Sequence, residues 1–371
     1  MNPSDDPPLI FRGTIQLLQL FDMSYSIDLE QAQARLVKPG GRTRPVVSRG
    51  GSIQMPELPV EVALGEQALS VDGQDYQAEL YARIYDLGII ALRLTVQLPE
   101  PCDWARATEI MDALLPYPPV VTACFERHRD SLGETLGPAL IRPNSVTRTE
   151  DYSLLIVSRL DGPTTASALA QHPALLQATL GEPKRLSASA TSLATTLSYY
   201  DDDLIILTWN GALVIEPDAL ARDDVGLLLE FANAQLLALR TYDDEVQADL
   251  TQLTATVRAR HPPLLGLSRT SQLQRDIATL IADINDTSAR VENALKVTED
   301  VYWNRVYAAA IRTLRVQVWR DGIAGSVEVL RQTSALLHDE AETALTVLLE
   351  VLVIVLIAVE LDVAVISLRG H

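Results

Sequence analysis

Lysine is almost missing from this chain: Lys38, Lys184 and Lys296 are the three in 371 residues. Even with arginine added, basic residues number 30 against 49 acidic ones, for a formal charge of −19. Phosphate neutralisation needs clustered cations, so a nucleic-acid-binding surface is excluded as a partner site. Cysteine is just as scarce. Cys102 and Cys124 stand alone, which excludes a disulfide framework and any CxxC pair. Five histidines scattered singly leave no dense His/Cys zinc site. Walker-type GxxxxGK[ST], GxSxG and strand-linked GxGxxG motifs are all lacking, so the NTPase, hydrolase and dinucleotide readings lose their anchors. Aromatics make up 5% of the chain. No catalytic residue, cofactor or metal is expected.

What the chain has in quantity is apolar aliphatic residue, 47% hydrophobic in all, enough to bury a core. Its length suits two modest domains, or one domain with a helical extension. The start, Met1 to Pro8, is polar and carries Asp5 and Asp6 without a basic residue, which reads as a disordered leader and not as a secretory signal. Arginine in place of lysine, with abundant alanine, points to a GC-rich bacterial genome.

Residues 9–217 read as a mixed α/β domain. Strands are expected over Arg12 to Ser26, Arg44 to Ser48, Val60 to Leu64, Tyr76 to Tyr85 and Ile89 to Leu98, with Asp72-Gly73 as a turn. Asp103 to Leu115 reads as a helix, with another after Pro119. Tyr152 to Val157 has a buried-strand pattern and Thr165 to Leu180 a helical one. Leu204 to Trp209 is a strand, turned by Asn210-Gly211 into Ala212 to Ile215.

Residues 218–340 change to helix. Val225, Leu229, Ala232, Leu236, Leu239, Val246, Leu250, Leu253 and Val257 fall on alternating four- and three-residue steps, a heptad pattern interrupted by Asp243. His261-Pro262-Pro263 should end that helix. Leu273, Ile277, Leu280, Ile284, Val291 and Ala294 resume the spacing, up to a break at Asp321-Gly322. Leu229, Leu236, Leu239, Asp243, Val246 and Leu250 are the expected helical interface. Heptads alone leave open whether the packing is within one chain or between copies.

Residues 341–371 form an apolar tail. Ala344 to Leu361 reads ALTVLLEVLVIVLIAVEL, and eighteen helical residues span about 27 Å, near the thickness of a bilayer core. Thirteen Leu, Ile and Val residues contribute about −6 kcal/mol on an insertion scale, against about 3 kcal/mol for one mid-span carboxylate. A single-pass anchor through Glu350, Val351, Leu352, Ile354, Leu356, Ile357 and Glu360 is therefore expected. Glu350 and Glu360 lie on one broad side, about 80° apart, turned toward another helix or a second copy. Arg312, Arg315, Arg320 and Arg331 precede the span and put the soluble part in the cytoplasm. The alternative is a helix buried in a core.

Acidic clusters offer little chemistry. His338-Asp339-Glu340-Ala341-Glu342 is not HExxH and reads as a solvated turn. Asp283-Ile284-Asn285-Asp286 lacks the glycine and distant glutamate of a calcium loop. Tyr199-Tyr200-Asp201-Asp202-Asp203 enters a strand, so its carboxylates alternate faces and cannot converge on one ion. Tyr242-Asp243-Asp244-Glu245 reads as a solvated helix face.

The stretch from Glu230 to Asp243, EFANAQLLALRTYD, resembles a signature of uncharacterised bacterial proteins similar to the "required for meiotic nuclear division" family. The tail from Glu350 to Glu360 resembles that family's C-terminal membrane segment, and Ile84 to Ile90 resembles part of its N-terminal domain. The chain is thereby similar to a distant bacterial relative. The resemblance implies a protein of the bacterial cytoplasmic membrane that forms large assemblies, as eukaryotic members of the inner mitochondrial membrane do in support of organellar translation. It carries over no catalytic residue.

The expected fold class is α+β: an N-terminal mixed α/β region, then long antiparallel, coiled-coil-like helices, then a C-terminal apolar transmembrane helix. The expected function is a non-enzymatic, membrane-anchored scaffold that oligomerises through its helices. Its partners would be the bilayer, further copies of itself and an undefined protein. Two alternatives stand beside it. One is a divalent-metal-transporter-like protein, which would lack the Gly-Met-Asn pore motif, since Met1, Met23, Met55 and Met111 are the methionines. The other is a soluble cytoplasmic enzyme whose terminal helix is a core or dimer helix.

Overall fold

The computed structural model describes residues 7–36, 43–45, 53, 55, 57–162, 164–258, 275, 277–279, 281–282, 300–332, 335, 350 and 353–357. The chain divides into two compact units, one formed by Met1–Thr241 with Arg290–Trp319 and the other by Tyr242–Ala289 with Arg320–His371.

The first unit is built on a nine-stranded sheet. Its strands are β1 (Ile10–Ile27), β2 (Thr43–Pro45), β3 (Val60–Val71), β4 (Gln74–Ile84), β5 (Ile89–Gln97), β6 (Leu140–Leu160), β7 (Thr195–Leu197), β8 (Leu204–Leu207) and β9 (Gly211–Ile215). They lie in the order β2-β3-β4-β5-β1-β6-β9-β8-β7. All neighbours are antiparallel except β6 and β9, which run parallel.

The long β1 and β6 form the spine. Along β1, Ile15 and Leu17 belong to one hydrophobic core, and Leu18 and Leu20, fully buried, turn the other way. In β6, Leu155 and Val157 alternate with Leu154 and Ile156; in β9, Leu213 and Ile215 alternate with Ala212 and Val214. Near-continuous apolar strands of this kind are buried on both faces. Helices α1 (Leu29–Leu36), α2 (Trp104–Leu114), α3 (Pro119–Leu136) and α5 (Pro173–Leu180) join the first core. The other face takes the start of α7 (Ala219–Arg258), whose Glu230 and Phe231 reach Arg83 and Tyr85. Helix α8 (Val301–Thr313) packs beside β7 and β8.

Local chemistry explains most boundaries. Asp72 (φ +49°) and Gly73 (φ +77°) are both left-handed, as the tight turn joining β3 to β4 requires. Asp103 caps α2, accepting from the Arg106 amide at 2.6 Å. The helix expected over Thr165 to Leu180 is two: α4 (Ala166–Ala170), capped by Thr165, and α5, which starts afresh at Pro173 because proline suits only a first helical turn. A short α6 (Ala188–Thr191) precedes β7. The turn expected at Asn210-Gly211 sits one residue earlier. Thr208 and Gly211 pair across Trp209-Asn210, and Gly211 is small for a different reason: a Cβ there would lie 2.7 Å from the Ser153 carbonyl oxygen of β6.

Helix α7 does not present a heptad seam in its first half. Every residue from Asp224 to Leu237 is buried, including those between the heptad positions. A helix buried on all sides is encased, and here the sheet covers one side while Tyr307 of α8 stacks on Phe231. The break expected at Asp321-Gly322 falls instead at Leu314-Arg315, where Arg315 is left-handed (φ +49°), and residues 316–332 are helical.

In the second unit Val246, Ile277, Ile323, Val327 and Leu330 are buried, and Gln247 donates to the Ser326 hydroxyl at 3.0 Å. The expected transmembrane helix is overturned: among the described residues no helix is long and apolar enough to cross a membrane. Glu350, Ile354, Leu356 and Ile357 are exposed; Val351, Leu352 and Glu360 lie outside the described residues. The Pro262-Pro263 stop, the heptad residues Leu273, Leu280, Ile284, Val291 and Ala294, and the clusters at 283–286 and 338–342 also lie outside them.

Candidate functional site: a buried ion cluster under helix α7

Four charged side chains from four segments meet between the sheet and α7. Glu61 of β3 lies directly across from Arg83 of β4, and Arg93 of β5 pairs across with Tyr81, one pleat along. All three project to the face that α7 covers, and Glu230 comes down from the helix. Arg83 donates from Nε to Glu61 at 2.9 Å and from Nη1 to Glu230 at 3.1 Å. Arg93 adds a 3.4 Å bond to Glu61, lies 3.8 Å from Glu230 and stacks over the Tyr81 ring at 5.5 Å. The second Glu230 oxygen accepts from the Tyr85 hydroxyl at 2.8 Å.

Side-chain exposure falls from 28% at Glu61 to 8% at Arg83 and 1% at Glu230. Two guanidinium groups face two carboxylates, so the cluster is neutral, as burial demands. Burial alone works to lower the Arg83 pKa, but Glu230 reverses it and holds the guanidinium charged. Arg93 is lowered, by burial and by Arg83 beside it. Burial pushes Glu61 up, and Arg83 and Arg93 together outweigh it, leaving that carboxyl below its usual range. Tyr85 is pushed well up, first by burial and then by Glu230, so it stays a phenol and a donor. Every member is satisfied by another. The arrangement clamps a helix to a sheet and offers no base or nucleophile.

Other reactive groups are similarly occupied. Burial pushes the Cys102 thiol up to about 11 and raises Cys124. His128 lies 3.8 Å from the Cys124 sulfur, but its Nδ1 donates to the Cys124 carbonyl at 2.8 Å and cannot take the thiol proton. Among the described residues no group of three or more His, Cys, Asp or Glu could hold a metal ion. The Asp203 carboxylate accepts from the backbone amides of Tyr199 and Tyr200 at 2.7 and 3.2 Å.

The expected interface residues Leu229, Leu236, Leu239 and Val246 are buried along α7; Asp243 and Leu250 are half-buried. The Asp243 carboxyl is raised by burial and by Asp244. Along the stretch from Glu230 to Asp243, Asn233 donates to the Leu229 carbonyl at 2.8 Å and Tyr307 donates to Gln235. The ion cluster itself was missed. Its trace in the sequence is two arginines at odd positions in strands otherwise apolar there, Arg83 and Arg93, and one acid in the apolar run from Leu227 to Leu239. Residues of opposite charge at such sites have to find one another.

A mixed sheet covered on both faces and pinned to a buried helix by an ion cluster defines an α/β domain. A family model described as "Uncharacterized protein MJ0711, N-terminal domain" matches residues 12–221, more than half of the chain, and the chain belongs to that family. No curated protein matches the chain. No solved structure matches it either.

Proposed function

We propose that the chain is a non-enzymatic assembly protein that joins to a second copy of itself through helical residues near its C-terminus. The observation that supports this is the run Val353, Ile354, Val355, Leu356 and Ile357, which is 51, 65, 54, 58 and 52% exposed. Five consecutive helical residues point in every direction around the axis, and no neighbour among the described residues covers them. A helix apolar all round must be covered by something, and Val, Ile and Leu surfaces pack well against their own kind across a two-fold axis. A distant relation to the "required for meiotic nuclear division" proteins and a bacterial origin belong to the same reading. The stretch from Glu230 to Asp243 and the arginine-for-lysine bias support them. A cytoplasmic location goes with two buried, free cysteines, the thiol state of a reducing compartment.

The test is sedimentation equilibrium of the full chain beside Ile354→Lys/Leu356→Lys. The wild type should sediment as a dimer or larger species and the variant at the mass of one chain. A monomeric wild type, or a variant of unchanged size, would defeat the proposal.

A further inference from the structure

The far edge of the sheet carries an aromatic patch that the fold does not need. Strand β7 is the last in the sheet, and no described strand pairs with its outer side. Directly after it, Tyr199 and Tyr200 are 63 and 67% exposed. Their rings meet edge to face at 4.7 Å, and Tyr199 packs on Tyr302 of α8 at 5.0 Å, which in turn touches Trp303 at 5.1 Å. The loop is held rigidly. Buried Asp203 takes the Tyr199 and Tyr200 amides, and the Asp201 carbonyl accepts from the Ala166 amide at 2.7 Å. Two large rings thus stand in solvent in a fixed arrangement, which removes the ordering cost of a later contact.

The charge around them is mostly negative. Asp201 and Asp202 are exposed, and neither forms an ion pair among the described residues. Asp203 and Glu216 lie close enough to Tyr302 to add to burial in raising its hydroxyl, with Arg305 as the opposing charge. Glu216 is itself raised, by burial and then by Asp203, Asp218 and Asp202. Arg222 is engaged by the Glu216 and Pro217 carbonyls at 2.7 Å. Aromatic faces beside uncompensated carboxylates attract a guanidinium or ammonium group and repel an anion.

We propose that this patch docks an extended segment of a partner protein bearing arginine or lysine. Its cationic side chains lie on Tyr199, Tyr200 and Tyr302 and meet Asp201 and Asp202, while its backbone follows the open side of β7. Addition of a strand to a sheet edge supplies the backbone contacts, and alternate residues of the added strand face the rings. The site is in the first unit and does not depend on self-association.

The test is fluorescence anisotropy of the full chain with a labelled peptide of alternating arginine and valine, beside the same peptide with glutamate for arginine. The wild type should bind the arginine probe, less tightly at higher salt, and not the glutamate probe. Tyr199→Ser/Tyr200→Ser leaves the net charge unchanged, and both rings are at the surface, so the fold is kept. This variant should bind about tenfold more weakly, since two of the three cation–ring contacts are lost. Asp201→Asn/Asp202→Asn should weaken binding and reduce its salt dependence. Unchanged affinity in the tyrosine variant would mean that the −19 chain merely attracts any cation, and would overturn the proposal. Equal binding of both probes, or no binding of the arginine probe, would overturn it as well.

Discussion

Replacing Glu230 by leucine should destabilise the first unit sharply, and the structure gives the size. The change removes hydrogen bonds from Arg83 and Tyr85 and leaves Arg83 and Arg93 facing Glu61 alone, a net positive charge at a site where Glu230 is 1% exposed. Breaking a buried pair from one side costs about 3–5 kcal/mol, and the added apolar burial returns only about 1–2 kcal/mol. A loss near 3 kcal/mol is expected, or about 10 °C in melting temperature at 2–4 °C per kcal/mol for a domain of this size. Arg83→Met should cost a similar amount, because it strands two carboxylates with one arginine. The double variant restores neutrality and should lie within about 2 kcal/mol of wild type, so the coupling is at least about 3 kcal/mol. Guanidinium unfolding followed by tryptophan fluorescence reads this cleanly. All four tryptophans, Trp104, Trp209, Trp303 and Trp319, belong to the first unit. An unchanged midpoint in Glu230→Leu, or a double variant as weak as the two singles added, would refute the clamp.

The same cluster should respond to acid. The Glu61 carboxyl is held below its unfolded value of 4.5, so its stabilisation is complete above that pH and is lost as pH falls through the lowered value. Glu61→Gln should therefore be less stable than wild type near pH 7, with the gap closing toward about pH 3; midpoints that differ equally at both pH values would count against it. Two glycines should behave oppositely to alanine in the same unfolding assay. Gly88 has φ +84°, and a Cβ would fall 1.7 Å from the Ser24 carbonyl oxygen, so Gly88→Ala should cost several kcal/mol. Gly226 is inside α7 with nothing within 4 Å of an added Cβ, so Gly226→Ala should gain about 0.5–1 kcal/mol. A loss at Gly226 would mean that its neighbours are closer than described.

Strands with strong local signals were readable one by one. The alternation along Arg12 to Ser26 and the Asp72-Gly73 turn carry their own chemistry, and β1, β3 and β4 form where they point. Strand β6 is legible over Tyr152 to Val157 alone, because residues 140–151 are mostly polar and largely exposed and pair only through the length of β1 beside them. Strand β7 has three residues and no pattern of its own; it exists because β8 is there to pair with. The heptad positions Val225, Leu229, Ala232, Leu236, Leu239 and Val246 of α7 are buried and Leu250 is half-buried, but the spacing says nothing of the residues between them, whose burial depends on the sheet. The ion cluster joins residues 61, 83, 93 and 230, and a periodicity search sees only near neighbours. The terminal run invites a membrane reading on its composition, whereas among the described residues no helix is long and apolar enough to cross a membrane.

The place of β1 in the sheet has a consequence for how the chain is made. It is the first strand to leave the ribosome, and its partner on one side, β5, follows within about eighty residues. Its partner on the other side does not: Gln16 waits for Leu154. At 5–20 residues per second, the gap lasts on the order of ten seconds. Once β5 has emerged, a growing chain holds a paired β3-β4-β5-β1 half with a long apolar border open to solvent or to another nascent chain. Arrival of β6 closes that border and presents a new edge, on which β9 and then β8 pair once residues 204–215 have followed. Chaperone capture, misassembly on polysomes and sensitivity to translation speed should all concentrate in the interval before residue 160 emerges.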